Sequence, residues 1–243
     1  MTLVRIVKDW EWAGLFRQTP GGSGMWGGVQ FTLDPVEECD FLIMLNNRKR
    51  TATRVQCPRE SVWAIMQEPY IIYLHDWMIE GHEPFSKVFT HYPPSTDPAI
   101  PWHINRTFDE LIDKRIPDKV RAISWVTSKL TFLPGHRKKM ALLDFLRQNA
   151  RFNIDVFGRG IRCVKDKWDG LAPYKYSLAV ENSSGPDYWT EKVADCFLTR
   201  TVPIYYGCTN LEEYFPKESF IRIDVDQPEA SLKKIREIID RDD

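Results

Sequence analysis

Apolar and polar residues alternate along this chain in a pattern that predicts an α/β protein. Short β-prone apolar runs recur, and turn-rich or amphipathic stretches separate them. Runs of this length, bounded by turn residues, are typical of strands. In the first half they are Leu3–Val7, Phe41–Leu45, Val62–Met66 and Lys87–Thr90.

The second half repeats a unit of strand, loop and helix. After the apolar run Ala122–Val126 and the turn at Pro134-Gly135, the residues Met140, Leu143 and Leu146 share one helical face. A second helix is predicted from about Thr190 to Leu198, because its apolar residues recur at a spacing of four. Further strands and a closing helix are predicted at Ile154–Phe157, Ser177–Val180, Val202–Tyr206 and Phe220–Ile223, and around Leu232, Ile235 and Ile239.

Strand and helix alternation of this kind predicts parallel, doubly wound sheets whose ligands bind at the carboxyl ends of the strands. The charged segment Asp109–Lys119 contains Pro117 and is the predicted linker. We therefore expect two Rossmann-like α/β domains, residues 1–115 and 116–243, with the polar stretch 181–186 forming a loop after its strand.

Composition excludes some classes of function. With 33 basic and 34 acidic residues, the net charge of −1 disfavours binding to nucleic acid or to an anionic membrane. No apolar run is long enough to span a bilayer, and the first nine residues read as a charged strand, so we expect a soluble, cytoplasmic chain. The five cysteines form no C-x-x-C pair and are expected to be reduced.

The segment 174–207 carries the most chemistry. A strand delivers Asn182 to a polar stretch, and the chain then enters a helix whose first turn holds Glu191 and Lys192. Amide groups at a helix start and a lysine beside them favour a diphosphate. Glu191 can accept hydrogen bonds from a ribose diol, and Tyr188 can pack on a ring or donate to phosphate. The alternative is an ordinary capped helix with a solvated Glu-Lys pair.

The same segment resembles the signature of the α-1,3/1,4-fucosyltransferases, glycosyltransferase family ten. The matching features are Tyr174-Lys175-Tyr176, Val180-Glu181-Asn182-Ser183, Asp187-Tyr188, Thr190-Glu191-Lys192, Thr201-Val202-Pro203 and Gly207. One departure is Val180, where the family usually has Phe. The resemblance implies that Asn182, Tyr188, Glu191 and Lys192 contact GDP-fucose, with Glu191 on the ribose and Lys192 on phosphate.

Two upstream segments extend the resemblance. The run Ala122–Ser128, followed by His136-Arg137 and a helix, is similar to the family's strand and the start of its next helix. This implies that Arg137 binds phosphate, with Ser128 as a further phosphate contact. Arginine suits that role because its planar fork can hold two oxygens of a departing diphosphate.

Sugar transfer also requires a base on the acceptor side. A hydroxyl is a poor nucleophile until a positioned group takes its proton. Residues 61–69 read as a strand ending in Glu68 and a proline, and they resemble the family's strand that ends in Glu. Glu68 is therefore assigned as the general base, against the alternative of a solvated turn residue.

No metal or cofactor is predicted, and GDP-fucose is the expected donor substrate. Asp224 and Asp226 have the D-x-D spacing of metal-dependent transferases, but they close a late strand, and Arg137 and Lys192 already supply positive charge. A divalent ion at this pair is therefore kept only as an alternative.

The resemblance implies a GT-B arrangement, two Rossmann-like domains facing each other across a cleft. The expected activity is an inverting transfer of L-fucose from GDP-β-L-fucose to an acceptor glycan, in α-1,3 or 1,4 linkage. The expected partners are GDP-fucose and an oligosaccharide or glycoconjugate acceptor. Three alternatives stay open: a transferase using another GDP-sugar, a hydrolase using Glu68 and Glu181, and an inactive glycan-binding module.

Overall fold

A computed structural model of the chain describes residues 1–10, 14–46, 48, 52–68, 75–91 and 106–241. These residues divide into two compact units, one ending at Lys114 and the other beginning at Arg115. Each unit is built on its own sheet. No helix in the described ranges is both long and apolar enough to cross a bilayer.

The first unit contains a six-stranded sheet with the order β2-β3-β1-β4-β5-β6. Its strands are β1 (Thr2–Lys8), β2 (Met25–Trp26), β3 (Val29–Thr32), β4 (Phe41–Leu45), β5 (Val62–Ile65) and β6 (Lys87–Phe89). All neighbouring strands are parallel except the hairpin of β2 and β3. In the described part of this unit, loops and 3-10 turns link the parallel strands, so the expected alternation with α-helices is not found there.

The segment predicted as a linker begins with a helix, α1 (Phe108–Asp113), which belongs to the first unit. The Thr107 hydroxyl accepts from the backbone N–H of Glu110, and the Glu110 carboxylate accepts from the backbone N–H of Thr107. This reciprocal capping box satisfies two amides that a helix start otherwise leaves open. The Thr-x-x-Glu spacing of this capping box is present in the sequence. The high charge of the segment led us to predict a linker there instead of a helix.

The second unit is a parallel sheet of five strands with the order β11-β10-β9-β7-β8. Its strands are β7 (Arg121–Val126), β8 (Asp155–Phe157), β9 (Tyr174–Gly185), β10 (Val202–Cys208) and β11 (Ile221–Arg222). Its helices are α2 (Pro134–Asn149), α3 (Glu191–Leu198) and α4 (Pro228–Asp240). The chain leaves β7 toward β8 and returns on the other side of β7 as β9. This reversal creates a crevice at the carboxyl ends of β7 and β9, where ligands of such sheets bind.

Apolar stripes on the helices cover this second sheet. Leu143 and Leu146 of α2 and Ile235 of α4 are almost completely buried, together with Trp125 and Ile204 from the strands. Met140, predicted on the same face of α2, is only partly buried. Helix periodicity therefore predicted the buried face of α2 correctly at Leu143 and Leu146, and Met140 lies at the edge of that face.

Strand β9 is longer than its composition suggested. The polar residues from Glu181 to Gly185 were predicted to form a loop, but they continue the strand. Pairing with β10 persists beyond Tyr206, and after a local irregularity Cys208 is opposite Gly185. Backbone hydrogen bonding to a neighbouring strand thus overrides the turn-like side chains.

The first turn of α2 is pressed against the end of β9. A Cβ atom on Gly135 would lie 1.7 Å from the carbonyl oxygen of Asn182, which is far inside van der Waals contact. Only glycine permits this approach, because any side chain would push the helix away from the strand. The approach brings the amino terminus of α2 to the crevice.

We expect Gly135→Ala to destabilise the second unit by roughly 3 kcal/mol, because overpacking against a fixed backbone forces the helix to move. Gly185→Ala is the matched control, since a Cβ there would meet no atom within 4 Å. Urea denaturation of the two variants measures the difference. Equal midpoints for the two variants would show that α2 does not depend on this contact.

Candidate functional site

A buried carboxylate joins the end of β9 to the start of α3. Glu181 is 1% exposed and accepts hydrogen bonds from the backbone N–H and hydroxyl of Thr190, at 2.9 and 2.8 Å. The Lys192 ammonium donates to its other oxygen at 2.9 Å. Gly207 makes room for this side chain, because a Cβ there would lie 2.3 Å from Glu181 Cγ. The strand thereby fixes the position of the helix start.

The two charges of this pair depend on each other. Burial raises the pKa of Glu181, and the Lys192 ammonium opposes that rise. Burial disfavours the ammonium, but the carboxylates of Glu181 and Glu191 raise the pKa of Lys192 above its ordinary value. Lys192 therefore remains a cation, and its charge is largely balanced by Glu181.

Glu191 is the carboxylate of this site that meets solvent, with its side chain 35% exposed. Its oxygen lies 3.8 Å from Lys192 Nζ and 3.6 Å from Lys167 Nζ. Burial of the group opposes ionisation, but these two ammonium groups lower the pKa of Glu191 to about 2. Lys167 is held in turn by Asp195 at 3.0 Å. An ionised, partly open carboxylate of this kind can accept hydrogen bonds from a diol.

Lys139 is a buried cation that our sequence reasoning missed. It is 3% exposed, and its ammonium donates to Asn182 Oδ1 at 2.6 Å. It forms no ion pair with any carboxylate in the part of the chain that the structure describes. Burial and the neighbouring Lys192 lower the pKa of Lys139 to about 8. A signal was present, because Lys139 precedes Leu142, Leu143 and Leu146 at helical spacing and so interrupts the buried stripe of α2.

Arg137, the predicted phosphate ligand, is not brought into this cluster. Its side chain is exposed, and Nη1 donates to the carbonyl oxygens of Thr131 and Phe132 at 3.2 and 3.1 Å. Residues two apart on a helix point in different directions, so Arg137 and Lys139 cannot both face β9. The role of Arg137 as a phosphate ligand stays a prediction, and Lys139 is a second cation near the start of α2 that we did not predict.

Tyr188 lies beside the cluster but is 4% exposed, so most of its ring is packed in the protein interior. The segment before it is held by Asp187, whose carboxylate accepts from Asn210 and Tyr214. A ligand would therefore meet the edge of Tyr188 at most. Its predicted contact with the nucleotide stays a prediction.

The two remaining donor-side predictions lie at the carboxyl ends of the strands. Asn182 is partly buried, in contact with Lys139. Ser128 is partly buried in the turn after β7. The residues on either side of it, Thr127 and Lys129, donate backbone hydrogen bonds to Phe157 and Arg159. The structure thus brings Asn182, Glu191, Lys192 and Lys139 together, with Ser128 on the adjacent strand end.

Glu68 belongs to the first unit and is exposed, three residues beyond β5. The chain is fixed just before it, because the Gln67 N–H donates to Asn46 Oδ1 at 2.8 Å. Asn46, in turn, follows β4 and is buried. Glu68 therefore projects from the carboxyl edge of the first sheet, where an accessible base would be expected.

The D-x-D pair has local partners. The Asp226 N–H donates to Asp224 Oδ1 at 2.9 Å. The Asp226 carboxylate forms an ion pair with Lys138 at 2.6 Å. Within the described ranges no group of three or more potential metal ligands is found.

Comparisons with known proteins show which family and fold the chain shares. Residues 116–243 match the model of glycosyltransferase family 10 (fucosyltransferase), carboxyl-terminal domain. A 4-galactosyl-N-acetylglucosaminide 3-alpha-L-fucosyltransferase 9, from mouse and from human, is 25% identical over 183 residues, covering 73% of this chain and 48% of the relative. An alpha-(1,3)-fucosyltransferase of Helicobacter pylori is 38% identical over 60 residues, which is 25% of this chain and 13% of the relative. The chain thus spans at most about half the length of these curated relatives.

Solved structures show the fold. A crystal structure of an alpha1,3-fucosyltransferase aligns with a TM-score of 0.58 and 16% identity, covering 99% of this chain and 79% of that chain. One determined with GDP-fucose aligns with a TM-score of 0.53 and 18% identity, over 98% and 78%. The predicted GT-B-like α/β fold class is thereby confirmed. Because the family model matches more than half of the chain, this protein belongs to glycosyltransferase family 10, the fucosyltransferases.

Proposed function

We propose that this chain binds GDP-fucose in its second unit and transfers the fucosyl group, with inversion, to a hydroxyl of an acceptor glycan. The proposal extends family membership to a reaction and a linkage class, α-1,3 or 1,4. Support comes from the cluster at the ends of β7 and β9 and from relatives named for that activity. One similar structure was determined with GDP-fucose.

The observation that carries the proposal is that Lys139 is buried and has no ion pair within the described residues. Burying such an ammonium is costly: burial and Lys192 lower its pKa to about 8, although the carboxylates of Glu181 and Glu191 act in the opposite direction. A bound diphosphate would supply the missing negative charge. The amino terminus of α2, where the N-cap residue Leu133 makes no side-chain hydrogen bond to the first amides, favours an anion at the same place. An uncharged glycan would leave Lys139 without a counter-charge.

The remaining donor contacts follow from the layout. Lys192, whose side chain is 21% exposed, holds the diphosphate, and the buried Lys139 adds positive charge close by. Ser128 and Asn182 donate hydrogen bonds beside the diphosphate. Glu191, ionised and partly exposed, accepts from the ribose diol. Tyr188 contributes only the edge of its ring. Arg137 stays a proposed phosphate ligand, because its guanidinium is exposed at the start of α2, where Nη1 donates to the carbonyl oxygens of Thr131 and Phe132.

The chemistry is a direct displacement without a covalent enzyme intermediate. Glu68 takes the proton of the acceptor hydroxyl as its oxygen bonds to the anomeric carbon. The bond from that carbon to the diphosphate oxygen breaks, and its electron pair leaves with GDP. Lys139, Lys192 and the helix starts stabilise the negative charge that develops on the leaving group.

The alternatives make different demands on these residues. A hydrolase using Glu181 needs that carboxylate to reach a substrate, but its side chain is fully buried and bonded to Thr190 and Lys192. In an inactive module that binds only uncharged glycans, a buried lysine without an ion pair would have no anionic ligand to bind. A transferase using another GDP-sugar would share the diphosphate cluster, so experiment must separate it from a fucosyltransferase.

Replacing Lys139 by Met should raise stability and abolish nucleotide binding at the same time. The substitution removes a buried charge, so we expect the free protein to gain on the order of 1–2 kcal/mol. The stabilisation that GDP gives the wild type should be lost. Thermal unfolding with and without GDP measures both effects.

Lys138→Met is the matched control, because Lys138 is exposed and pairs with Asp226. It should keep the stabilisation by GDP. A Lys139→Met protein that binds GDP as tightly as the wild type would remove the central support for the proposed function.

The affinity for GDP should fall as pH rises above about 8. The pKa of Lys139 is lowered to about 8 in the free protein, so above that pH binding must first protonate the amine. The loss can reach about tenfold per pH unit. The pKa of Lys192 is raised and that of Glu191 is about 2, so neither group titrates between pH 7.5 and 9. Calorimetric titrations over this range check the slope, and Lys138→Met, which keeps the buried amine of Lys139, should show the same slope as the wild type.

The transfer itself is tested with labelled GDP-fucose on a glycan array, with GDP-mannose in parallel. The wild type should transfer fucose only. Glu68→Gln should lower the rate of fucosyl transfer by roughly 10²–10⁴-fold, as expected for loss of a general base. The affinity of Glu68→Gln for GDP should be unchanged. Preferential transfer of mannose would exclude the fucosyl assignment. Full activity of Glu68→Gln would exclude that residue as the base.

A further inference from the structure

A lysine from a separate turn of the chain reaches the start of α3. Lys167 lies in a 3-10 turn (Lys167–Gly170) between β8 and β9. Its side chain is 36% exposed, and its ammonium lies 3.0 Å from Asp195 Oδ2 and 3.6 Å from Glu191 Oε1. The proposed donor contacts include Glu191 but give Lys167 no role. Its position beside that carboxylate calls for one.

The turn that carries Lys167 is fixed to the rest of the second unit. The Asp166 carboxylate accepts from the Trp168 N–H at 2.8 Å, and Trp168 is buried. Gly170 packs closely on the sheet, because a Cβ there would lie 3.0 Å from Val126 Cγ2. Lys167 therefore extends from an anchored backbone, and its ammonium approaches α3 from a defined direction.

Asp195 holds the ammonium on the side of the helix. Glu191 and Asp195 are four residues apart in α3, so they share one face, and two carboxylates at this spacing repel each other. Lys167 bridges them and offsets that repulsion. The Asp195 side chain is 2% exposed, whereas that of Glu191 is 35% exposed. The buried carboxylate thus anchors the lysine, and the lysine faces the carboxylate that a ligand can reach.

Glu191 has a cation on each side but is hydrogen-bonded to neither. The distances of 3.6 Å to Lys167 Nζ and 3.8 Å to Lys192 Nζ are both longer than a hydrogen bond. The Lys192 ammonium donates to Glu181 instead, at 2.9 Å. Attraction from the two sides favours one orientation of the Glu191 carboxylate. It does so without using the acceptor lone pairs that a diol requires.

We propose that Lys167 is a positioning residue for the ribose-binding carboxylate: anchored by Asp195, it holds Glu191 in the orientation that accepts hydrogen bonds from the ribose diol. Lys167 itself does not touch the nucleotide in this scheme. The inference rests on the proposed function, because it takes the contact between Glu191 and the ribose from it. Loss of Lys167 should therefore weaken only ligands that carry the diol.

The test compares the affinities for GDP and for 2′,3′-dideoxy-GDP, which lacks the diol, by calorimetry. The wild type should prefer GDP by about tenfold, as expected for hydrogen bonds to a charged acceptor. In Lys167→Met, GDP should bind about fivefold more weakly, while the affinity for dideoxy-GDP stays within twofold. Lys167→Arg keeps the cation and should restore most of the preference. Lys165→Met is the matched control, since Lys165 is an exposed lysine of the same segment, and it should change neither affinity.

A second variant is needed because Lys167→Met removes the ammonium that pairs with the buried Asp195 carboxylate. Lys167→Met combined with Asp195→Asn removes both charges and should show the same loss of preference for GDP. A double-mutant cycle adds a further readout. In a Glu191→Gln background, Lys167→Met should cause no further loss of GDP affinity, because the group that it positions has already been changed.

The outcomes that would overturn this role differ from those that would refute the proposed function. A preference for GDP that survives in both Lys167→Met and the double variant would show that Glu191 does not depend on Lys167. Equal weakening of the two nucleotides would show that Lys167 supports the helix start as a whole. Equal affinities in the wild type would show that Glu191 has no diol to accept from, although GDP binding would stand. Failure of the wild type to bind either nucleotide would refute the proposed function itself.

Discussion

The ion pair between Glu181 and Lys192 is the interaction on which the rest of the second unit depends. A buried pair of this kind contributes little net stability, because desolvating both charges costs nearly as much as their attraction returns. Its importance here is geometric. One carboxylate binds the ammonium, the hydroxyl and the backbone amide at the start of α3, and so fixes that helix to the end of β9. Every other polar group of the cluster is positioned relative to this junction.

The lysines of the cluster are of two kinds: those that form an ion pair within the protein, and one that does not. Lys192 is balanced by Glu181, and Lys167 by Asp195. Lys139, in contrast, donates to the neutral amide oxygen of Asn182 and forms no ion pair within the described ranges. Adjacent residues of one strand, Glu181 and Asn182, thus give one lysine an ionic partner and the other a neutral one. In the proposed function, this difference leaves the positive charge of Lys139 for an anionic ligand.

Much of the fold followed from the sequence, because strand and helix periodicity reflects burial on one face. The prediction failed where pairing or capping overrode composition, as in the polar end of β9 and in α1. In the site, the family motif identified Asn182, Glu191 and Lys192, which lie together. It also indicated Arg137, whose role as a phosphate ligand stays a prediction. The motif gave no sign of the buried Lys139, because a motif aligned by residue type does not show which face of a helix a side chain occupies.

The space above Gly207 links two positions that are far apart in the chain. A Cβ there would lie 2.3 Å from Glu181 Cγ and 2.7 Å from the Tyr205 hydroxyl, and the φ of +153° also disfavours any other residue. Glycine is therefore required at 207 even in a chain that has lost the acid, whereas a side chain at 207 excludes the acid at 181. A relative with a side chain at 207 is expected to have lost the junction between β9 and α3, even where the neighbouring motif still looks intact.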